Sequence, residues 1–117
     1  MVGIDVVDVK RIEKTDFDAF LQKVFCESEQ NYILQKKDKY ETAAGIFAVK
    51  EAVVKALGTG FVGKISFQDI EVFYDTFGAP YVELKNEAKN ILDSKGNIIF
   101  VSLSHDGGIA VAMAAIR

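Results

Sequence analysis

The longest apolar stretch of the chain lies at residues 43–60, where Ala, Val, Leu, Ile and Phe occupy most positions. Its length and composition predict a helix from about Lys39 to Leu57, and a helix that is apolar almost all round is a buried one. Gly58 has the position of a C-capping glycine, and Gly60 leaves a loop whose backbone can approach a ligand closely. The pattern therefore predicts a buried helix around which the rest of the chain is organised.

Runs rich in Val, Ile and aromatic residues predict five strands around this helix. The first strand is expected at residues 2–9, a hairpin at residues 70–74 and 81–85, and a second hairpin at residues 98–104 and 109–116. Shorter helices are expected at residues 16–24, at residues 31–37 after Ser28 as N-cap, and at residues 87–93 after Asn86 as N-cap. This order of elements predicts an α+β fold, in which helices pack on a small antiparallel sheet, with residues 1–117 forming a single domain.

The predicted long helix carries three charged residues, Lys50, Glu51 and Lys55. Buried charges are costly unless they are paired, hydrogen-bonded or bound to a metal. At about 100° per residue, Glu51 and Lys55 lie on one stripe of the helix, whereas Lys50 points to a different side. One interpretation is an ordinary ion pair between Glu51 and Lys55. The other is that this carboxylate and this ammonium, in mostly dry surroundings, bind a metal and handle a proton.

A second carboxylate, Asp5, lies in the first predicted strand, on the same face as Gly3 and Val7 and therefore among apolar neighbours. With one cysteine and one histidine, the chain alone cannot assemble a structural zinc site. Any metal would be held by carboxylates, which favours Mg²⁺ or Mn²⁺. Together, Asp5 and Glu51 could bind one cation, and a nearby lysine could neutralise the negative charge that develops on a phosphate leaving group. This combination favours metal-assisted phosphoryl transfer.

Composition argues against several other classes of protein. The net charge of −3 gives no overall basic field for nucleic acid. The chain has no run of about 18 apolar residues, so no membrane span is predicted. The first residues lack the basic region and cleavage site of a signal peptide, and the single cysteine, Cys26, rules out an internal disulfide framework. A cytoplasmic location is therefore expected.

Several segments of the sequence resemble the bacterial holo-acyl-carrier-protein synthases, the small AcpS-type 4′-phosphopantetheinyl transferases. The matching segments are Gly3-Ile4-Asp5-Val6 followed by Arg11-Ile12, FAVKEAVVKALGTG at residues 47–60, FQDIE at residues 67–71, GAPY at residues 78–81, and Ser102-Leu103-Ser104-His105. The resemblance covers essentially the whole chain in the right order, and the long second motif is highly specific.

The resemblance implies the transfer of 4′-phosphopantetheine from coenzyme A to a serine of apo-acyl carrier protein, which releases 3′,5′-ADP and serves fatty acid biosynthesis. It implies Mg²⁺ held by Asp5 and Glu51, with Lys55 stabilising or protonating the leaving phosphate. It also implies that Lys50 and the Gly58-Thr59-Gly60 loop lie along the phosphates of coenzyme A.

The resemblance further implies a homotrimer of the 4′-phosphopantetheinyl transferase fold, with each site at a subunit interface. His105 would then contact the nucleotide end of coenzyme A, on a ligand shared with a neighbouring subunit. Arg11 and Lys14 would meet the acidic recognition helix of the carrier protein. The chain departs from the family at Ile46, where many members carry an arginine.

Two other functions use the same residues differently. A metal-dependent nucleotide phosphohydrolase would need the same two carboxylates, whereas in a non-catalytic binding subunit Glu51 and Lys55 would form only a buried pair. Asp5 distinguishes these possibilities, because a structural pair does not need a carboxylate on a distant strand. The group that takes the serine proton stays open between Glu51 and a metal-bound water.

Overall fold

A computed structural model describes residues 1–60 and 65–117, and within these ranges the chain forms five strands, five α-helices and one 3₁₀ turn. The elements are β1 (Val2–Asp8), α1 (Val9–Glu13), α2 (Phe17–Val24), α3 (Glu27–Gln35), α4 (Lys39–Leu57), the 3₁₀ turn (Phe67–Asp69), β2 (Ile70–Tyr74), β3 (Pro80–Leu84), α5 (Asn86–Lys95), β4 (Ile99–Asp106) and β5 (Ile109–Ile116). The predicted α+β class is confirmed. The loop expected at residues 61–66 lies largely outside the described residues.

Helix α4 is the central element, and its predicted bounds are confirmed. It begins where the side chain of Asp38 accepts a hydrogen bond from the backbone N–H of Glu41, and it ends at Gly58, which has φ 80°. Most of its side chains are buried, and many of them are alanines, which let neighbouring backbones come close. The described helices include none with the length and hydrophobicity that a membrane crossing requires.

Three antiparallel strands in the order β1-β5-β4 form the sheet that covers α4. Gly3, Asp5 and Val7 of β1 face α4, each opposite a buried alanine of β5. The alternate positions point away from α4 and leave the other face of the sheet uncovered, with its large apolar side chains exposed: Val2, Ile4, Val6, Phe100 and Met113. Strands β2 and β3 form a separate two-stranded hairpin.

Strand β1 packs directly against the backbone of α4 at Gly3. A Cβ atom at this position would lie 1.9 Å from the carbonyl oxygen of Ala52 and 2.6 Å from the nitrogen of Ala56. No side chain fits in that space, so the glycine sets how near the strand lies to the helix. Because Asp5 is two residues further along β1, this contact also sets its distance from α4.

Helix α1 was not predicted, and it begins at Val9, which was expected to end the first strand. Three other local predictions differ from the structure. Helix α3 begins at Glu27 after Cys26 rather than after Ser28, because Glu29 accepts a hydrogen bond from the N–H of Cys26 and completes a capping arrangement. Asn86 is the first residue of α5 rather than its N-cap. His105 lies inside β4, and the turn is formed by the two glycines that follow Asp106.

We expect Gly3→Ala to lower the free energy of unfolding by about 3 kcal/mol, because the added methyl group overlaps the α4 backbone. Gly107→Ala is the control, since nothing lies within 4 Å of its Cβ position and only its φ of 57° opposes a side chain. That change should cost about 1–2 kcal/mol. Urea unfolding followed by circular dichroism measures both, and equal losses would contradict the close-contact explanation.

Candidate active site

Asp5 of β1 and Lys55 of α4 meet where the strand and the helix approach each other. The Nζ atom of Lys55 lies 2.9 Å from Oδ1 of Asp5 and donates a second hydrogen bond, of 3.0 Å, to the carbonyl oxygen of Ile4. The Asp5 side chain is 16% exposed and that of Lys55 is 53% exposed. The lysine expected beside Glu51 therefore lies on the carboxylate of the neighbouring strand, and the ion pair is accessible from solvent.

Glu51 belongs to the same group of charges as Asp5 and Lys55, because both of them shift its pKa. Partial burial raises the pKa of the Glu51 carboxyl above its ordinary value, and the negative charge of Asp5 raises it further. The positive charges of Lys55 and Arg11 oppose that rise. A carboxylate whose ionisation is disfavoured by a neighbouring negative charge lies at a site that gains from an additional cation.

The donor set at this position fits a hard divalent cation. Asp5 and Glu51 offer carboxylate oxygens, which Mg²⁺ prefers, and Mg²⁺ is typically held by one or two carboxylates while substrate phosphates and water complete its shell. In the described ranges, no three His, Cys, Asp or Glu side chains are grouped so that they could hold a metal ion among themselves. A metal at Asp5 and Glu51 would therefore depend on ligands from outside these side chains.

Lys50 does not lie where the resemblance places it. Its side chain is 0% exposed, and its Nζ atom lies 2.7 Å from Oε1 of Glu29. The ammonium also donates to the carbonyl oxygens of Val24, Phe67 and Ile70, at 3.1, 2.9 and 2.7 Å. With four acceptors around it and no exposure, Lys50 has no free hydrogen bond for a phosphate, so the expected contact with coenzyme A is not possible from this position.

Glu29 is the buried partner of Lys50. Besides the ammonium, its carboxylate accepts hydrogen bonds from the N–H groups of Cys26 and Val72, at 2.7 and 2.6 Å. Burial lowers the pKa of Lys50, and the charge of Glu29 opposes this change. Breaking a buried ion pair by removing one partner typically costs about 3–5 kcal/mol, because the other charge is left uncompensated.

The Gly58-Thr59-Gly60 segment turns the chain sharply after α4. Gly58 and Gly60 have φ values of 80° and 61°, and the hydroxyl of Thr59 donates to the carbonyl oxygen of Gly60. The C-terminal end of a helix carries partial negative charge, which disfavours an anion. The Nζ atom of Lys95, in the last turn of α5, lies 4.0 Å from the Cβ position of Gly58 and offsets that charge.

His105 lies against the N-terminal half of α4 rather than beside the carboxylates. Its Nε2 atom is 3.2 Å from the carbonyl oxygen of Glu41, an acceptor, so the hydrogen bond requires a protonated Nε2. A Cβ atom on Gly45 would come within 2.7 Å of Nε2, so this glycine makes room for the ring. Glu41 and Gly45 precede Glu51 by ten and six residues, which separates them from it by about 15 and 9 Å along the helix axis.

A cleft of about 270 Å³ lies beside His105, with Tyr32, Tyr74 and Lys36 in its lining. Tyr32 and Tyr74 are stacked with ring centroids 4.7 Å apart, and the Lys36 ammonium lies 4.5 Å from the Tyr32 ring centroid. The cleft therefore presents flat aromatic surface and a positive charge on the side of α4 where His105 packs.

Arg11 and Lys14 are both exposed on or just after the short helix α1. Arg11 links this helix to the charges of Asp5, Glu51 and Lys55. Its guanidinium carbon lies 5.9 Å from the ring centroid of Phe47, and its positive charge opposes the rise in the pKa of Glu51. Lys14 follows the last turn of α1. Ile46, at the position where many family members carry an arginine, is completely buried.

The sequence analysis did not single out Glu29 or Gly45. The capping pattern of Glu29, three residues after Cys26, was a signal for the start of a helix but not for a partner of Lys50. Gly45 stands inside an otherwise helical pattern, and such a glycine usually has a packing or functional reason. Lys36 and Tyr32 carried no sequence signal for their place beside His105.

Comparisons with known proteins agree with this geometry. Residues 1–113 match the family described as the 4′-phosphopantetheinyl transferase superfamily. A holo-[acyl-carrier-protein] synthase of Caldicellulosiruptor saccharolyticus is 47% identical over 115 residues, covering 97% of this chain and 92% of the relative. One of Alkaliphilus oremlandii is 41% identical over 116 residues, covering 97% and 94%.

Solved structures of the same kind superimpose on the whole chain. The holo-[acyl-carrier-protein] synthase of Helicobacter pylori in complex with coenzyme A is 37% identical, covers 100% of both chains and has a TM-score of 0.86. That of Bacillus anthracis, in complex with CoA (3′,5′-ADP), is 36% identical, covers 97% of this chain and 91% of its own, and has a TM-score of 0.80.

The fold and the site thus define a phosphopantetheinyl transferase. Within that class, the chain belongs to the holo-[acyl-carrier-protein] synthase family.

We expect Glu51→Gln to stabilise the metal-free protein at neutral pH. A carboxyl with a raised pKa binds its proton more tightly when folded, so its ionisation costs stability as the pH rises from the ordinary value of 4.5 through the folded-state pKa. The glutamine variant lacks that cost. In EDTA, its melting temperature should exceed that of the wild type at pH 7, and the difference should disappear below pH 4.5. A difference independent of pH would contradict the electrostatic explanation.

Proposed function

We propose that this protein transfers 4′-phosphopantetheine from coenzyme A to a serine of apo-acyl carrier protein, releasing 3′,5′-ADP and supplying holo-acyl carrier protein for fatty acid biosynthesis. The observation that carries the proposal is the convergence of Asp5 on β1 with Glu51 and Lys55 on α4. Two distant motifs of the resemblance provide these residues, and the fold brings them to one solvent-accessible place.

We assign the metal site of this reaction to Asp5 and Glu51. Bound Mg²⁺ would supply Lewis-acid stabilisation of the phosphate charge that develops during transfer. The Asp5 and Glu51 carboxylates would hold it. The serine proton would pass to Glu51 or to a water molecule beside it.

Lys55 is the candidate for stabilising the leaving group. Its side chain is half exposed, and its ammonium is held by one carboxylate and one carbonyl, which leaves a hydrogen available for a phosphate oxygen. The Gly58-Thr59-Gly60 segment follows on the same helix and lies near the Lys95 ammonium, while the N–H of Gly58 itself donates to the carbonyls of Val54 and Lys55. We propose that this segment meets the phosphates of coenzyme A and that His105, beside its aromatic cleft, meets the nucleotide end.

The docking surface proposed for acyl carrier protein is α1. Arg11 and Lys14 are exposed there, and the charge of Arg11 also reaches Glu51, so a partner on α1 would lie beside the reacting groups. An acidic helix of the partner would be attracted by these residues although the chain as a whole has a charge of −3. We further propose a cytoplasmic location, which fits a chain with one cysteine and no disulfide partner for it.

We propose a homotrimer in which the uncovered face of the three-stranded sheet forms the interface. Five large apolar side chains are 45–66% exposed on this face, and contiguous apolar patches of this kind usually mark an interaction surface. Within one chain, His105 contacts α4 about 9–15 Å along the axis from Glu51. A second copy that brings its own His105 toward the carboxylates would complete the site.

The first test is intact-mass spectrometry of an apo-acyl carrier protein incubated with this protein, coenzyme A and Mg²⁺. A mass gain equal to one phosphopantetheine group, absent in EDTA, is expected. Asp5→Asn and Glu51→Gln should each lower turnover at least about 100-fold, because each removes charge that acts on the transition state. Asp93→Asn, an equally conservative change on the exposed side of α5, is the control and should leave turnover unchanged.

Other outcomes separate the alternatives. Cleavage of coenzyme A without a gain in carrier-protein mass would favour a phosphohydrolase. Intact coenzyme A and unmodified carrier proteins would favour a non-catalytic binding subunit. Near-full activity of either carboxylate variant would contradict the two-carboxylate metal site.

The trimer is tested separately with Val6→Glu, which places a charge in the uncovered sheet face where Val6 is 57% exposed. Light scattering after gel filtration should give the wild type three times the chain mass of 12.9 kDa and the variant a smaller assembly. Phe77→Glu is the control, because Phe77 is 95% exposed in the turn between β2 and β3, which form the other sheet. A monomeric wild type would contradict the proposed trimer.

A further inference from the structure

Four separate elements build the cleft beside His105. Its lining comes from the end of α3, the start of α4, the β2–β3 hairpin and β4, and it includes Tyr32, Lys36, Thr42, Tyr74 and His105. The volume of about 270 Å³ suits one end of a ligand, because pockets that enclose a drug-sized molecule typically have about 300–1,000 Å³. None of the described residues in the lining carries a carboxylate. The cleft therefore combines aromatic surface with positive charge, which suits the base and a phosphate of a nucleotide.

Lys36 supplies the permanent positive charge of this cleft. Its ammonium lies 4.5 Å from the centroid of the Tyr32 ring, whose face attracts a cation. Within residues 1–60 and 65–117, this ammonium forms no ion pair and no hydrogen bond, and the residue is exposed. Its three N–H donors are therefore free for a ligand that enters the cleft.

Two other polar side chains of the lining, His105 and Thr42, already use a donor within the chain. The Nε2 atom of His105 is hydrogen-bonded to the carbonyl oxygen of Glu41 at 3.2 Å. The hydroxyl of Thr42 donates to the carbonyl oxygen of Asp38 at 2.9 Å. The recognition of a full negative charge in this cleft therefore depends on Lys36.

The residue at position 46 shows why the charge of Lys36 matters in this chain. Ile46 follows Thr42 by four residues, so the two lie on one stripe of α4, about 6 Å apart along its axis. Helical side chains lean toward the N-terminus, so the arginine that many family members carry at this position would extend toward the cleft that Thr42 lines. Here the position holds a completely buried isoleucine. A cation for this cleft must come from another element, and α3 provides it with Lys36.

We propose that Lys36 is a specificity-determining residue that binds the 3′-phosphate of coenzyme A. This phosphate lies on the ribose next to the adenine base, at the end of the molecule assigned to the His105 cleft. The diphosphate, in contrast, is assigned to Lys55 and the Gly58-Thr59-Gly60 segment. A lysine ammonium binds phosphate as a point charge, and the Tyr32 ring beneath it offers apolar surface to the base.

This inference rests on the proposed function, because it supposes that coenzyme A is the substrate. It holds whether the cleft serves the carboxylates of its own chain or those of a neighbouring copy, since Lys36 and His105 line the same cleft and stay together in either case. The 3′-phosphate is remote from the bond that breaks, so Lys36 acts on the choice of substrate and not on the chemical step.

The test compares coenzyme A with dephospho-coenzyme A, which has the same phosphopantetheine, diphosphate and base and lacks only the 3′-phosphate. Calorimetric titration in Mg²⁺, without carrier protein, should show that the wild type binds coenzyme A about tenfold more tightly, as hydrogen bonds to a charged group predict. Lys36→Met should weaken coenzyme A binding by about that factor, while the affinity for dephospho-coenzyme A changes less than about twofold.

Two further variants separate the phosphate contact from other effects. Lys36→Arg keeps the positive charge and should retain the preference for coenzyme A. Lys37→Met removes an equal charge from the next residue, which does not line the cleft, and should also retain the preference. In steady-state kinetics, Lys36→Met should raise the KM for coenzyme A and leave kcat unchanged, because it removes binding that the ground state and the transition state share.

Equal weakening of both ligands by Lys36→Met would overturn the inference, because it indicates a general loss of the cleft. The same loss in Lys37→Met, or a wild type that binds both ligands equally, would also overturn it. In each of these cases coenzyme A still binds and carrier protein is still modified, so the proposed function stands. A wild type that neither binds coenzyme A nor modifies a carrier protein would instead overturn the proposed function, and this inference with it.

Discussion

The absence of a side chain at Gly3 is the constraint on which the described fold and site most depend. Because a Cβ atom would lie 1.9 Å from a carbonyl oxygen of α4, only glycine lets β1 rest directly on the helix backbone. The alanines of β5 that face α4 extend the same close packing across the sheet. The consequence is chemical as well as steric, because a short carboxylate such as Asp5 can then reach the charges on α4.

Helix α4 holds Lys50 and Lys55 in two different environments. Lys55 is half exposed, forms an ion pair with Asp5 and donates a hydrogen bond to one carbonyl, and it can exchange those partners for a ligand. Lys50 is enclosed by four acceptors and cannot. The five-residue step from Lys50 to Lys55 turns the helix by about 500°, which is some 140° beyond a full turn, so one lysine points to the sheet edge and the other to the β2–β3 side. The same motif therefore supplies one group suited to chemistry and one suited to holding the fold.

The sequence predicted much of this arrangement because its strongest signals are local. The nineteen-residue helix, its C-terminal glycine and the strand β5 were located at their observed bounds, since each is fixed by periodicity or by capping. The placement of Asp5 among apolar neighbours followed from the two-residue period of a strand. The family was identified from its motifs, and the similarity of relatives over nearly the whole chain confirms it.

The role of Lys50 could not be predicted, because it depends on a contact 21 residues away. The helical period showed that Lys50 and Glu51 point to different sides, but not what fills the space beyond Lys50. Glu29 is N-terminal in a short helix whose start was itself misplaced, since the signal from Cys26 is weaker than that from Ser28. The contact of His105 with Gly45 could not be predicted for a related reason. The strand that carries His105 was located, but the contact exists only once the sheet and the helix are packed together.

The position of His105 bears on how the proposed site is completed. On one chain, the carboxylates lie beside the C-terminal half of α4, while His105 and its aromatic cleft lie at the N-terminal half of the same helix. A ligand with phosphates near its centre and a nucleotide at one end could reach both only by following the helix or by crossing between subunits. The uncovered apolar face includes residues from β1, which also carries Asp5, and from β4, which also carries His105. Asp5 and His105 themselves point to the α4 side of the sheet, so copies that associate through the apolar face would share a ligand around the edges of their sheets, which is where we place the proposed site.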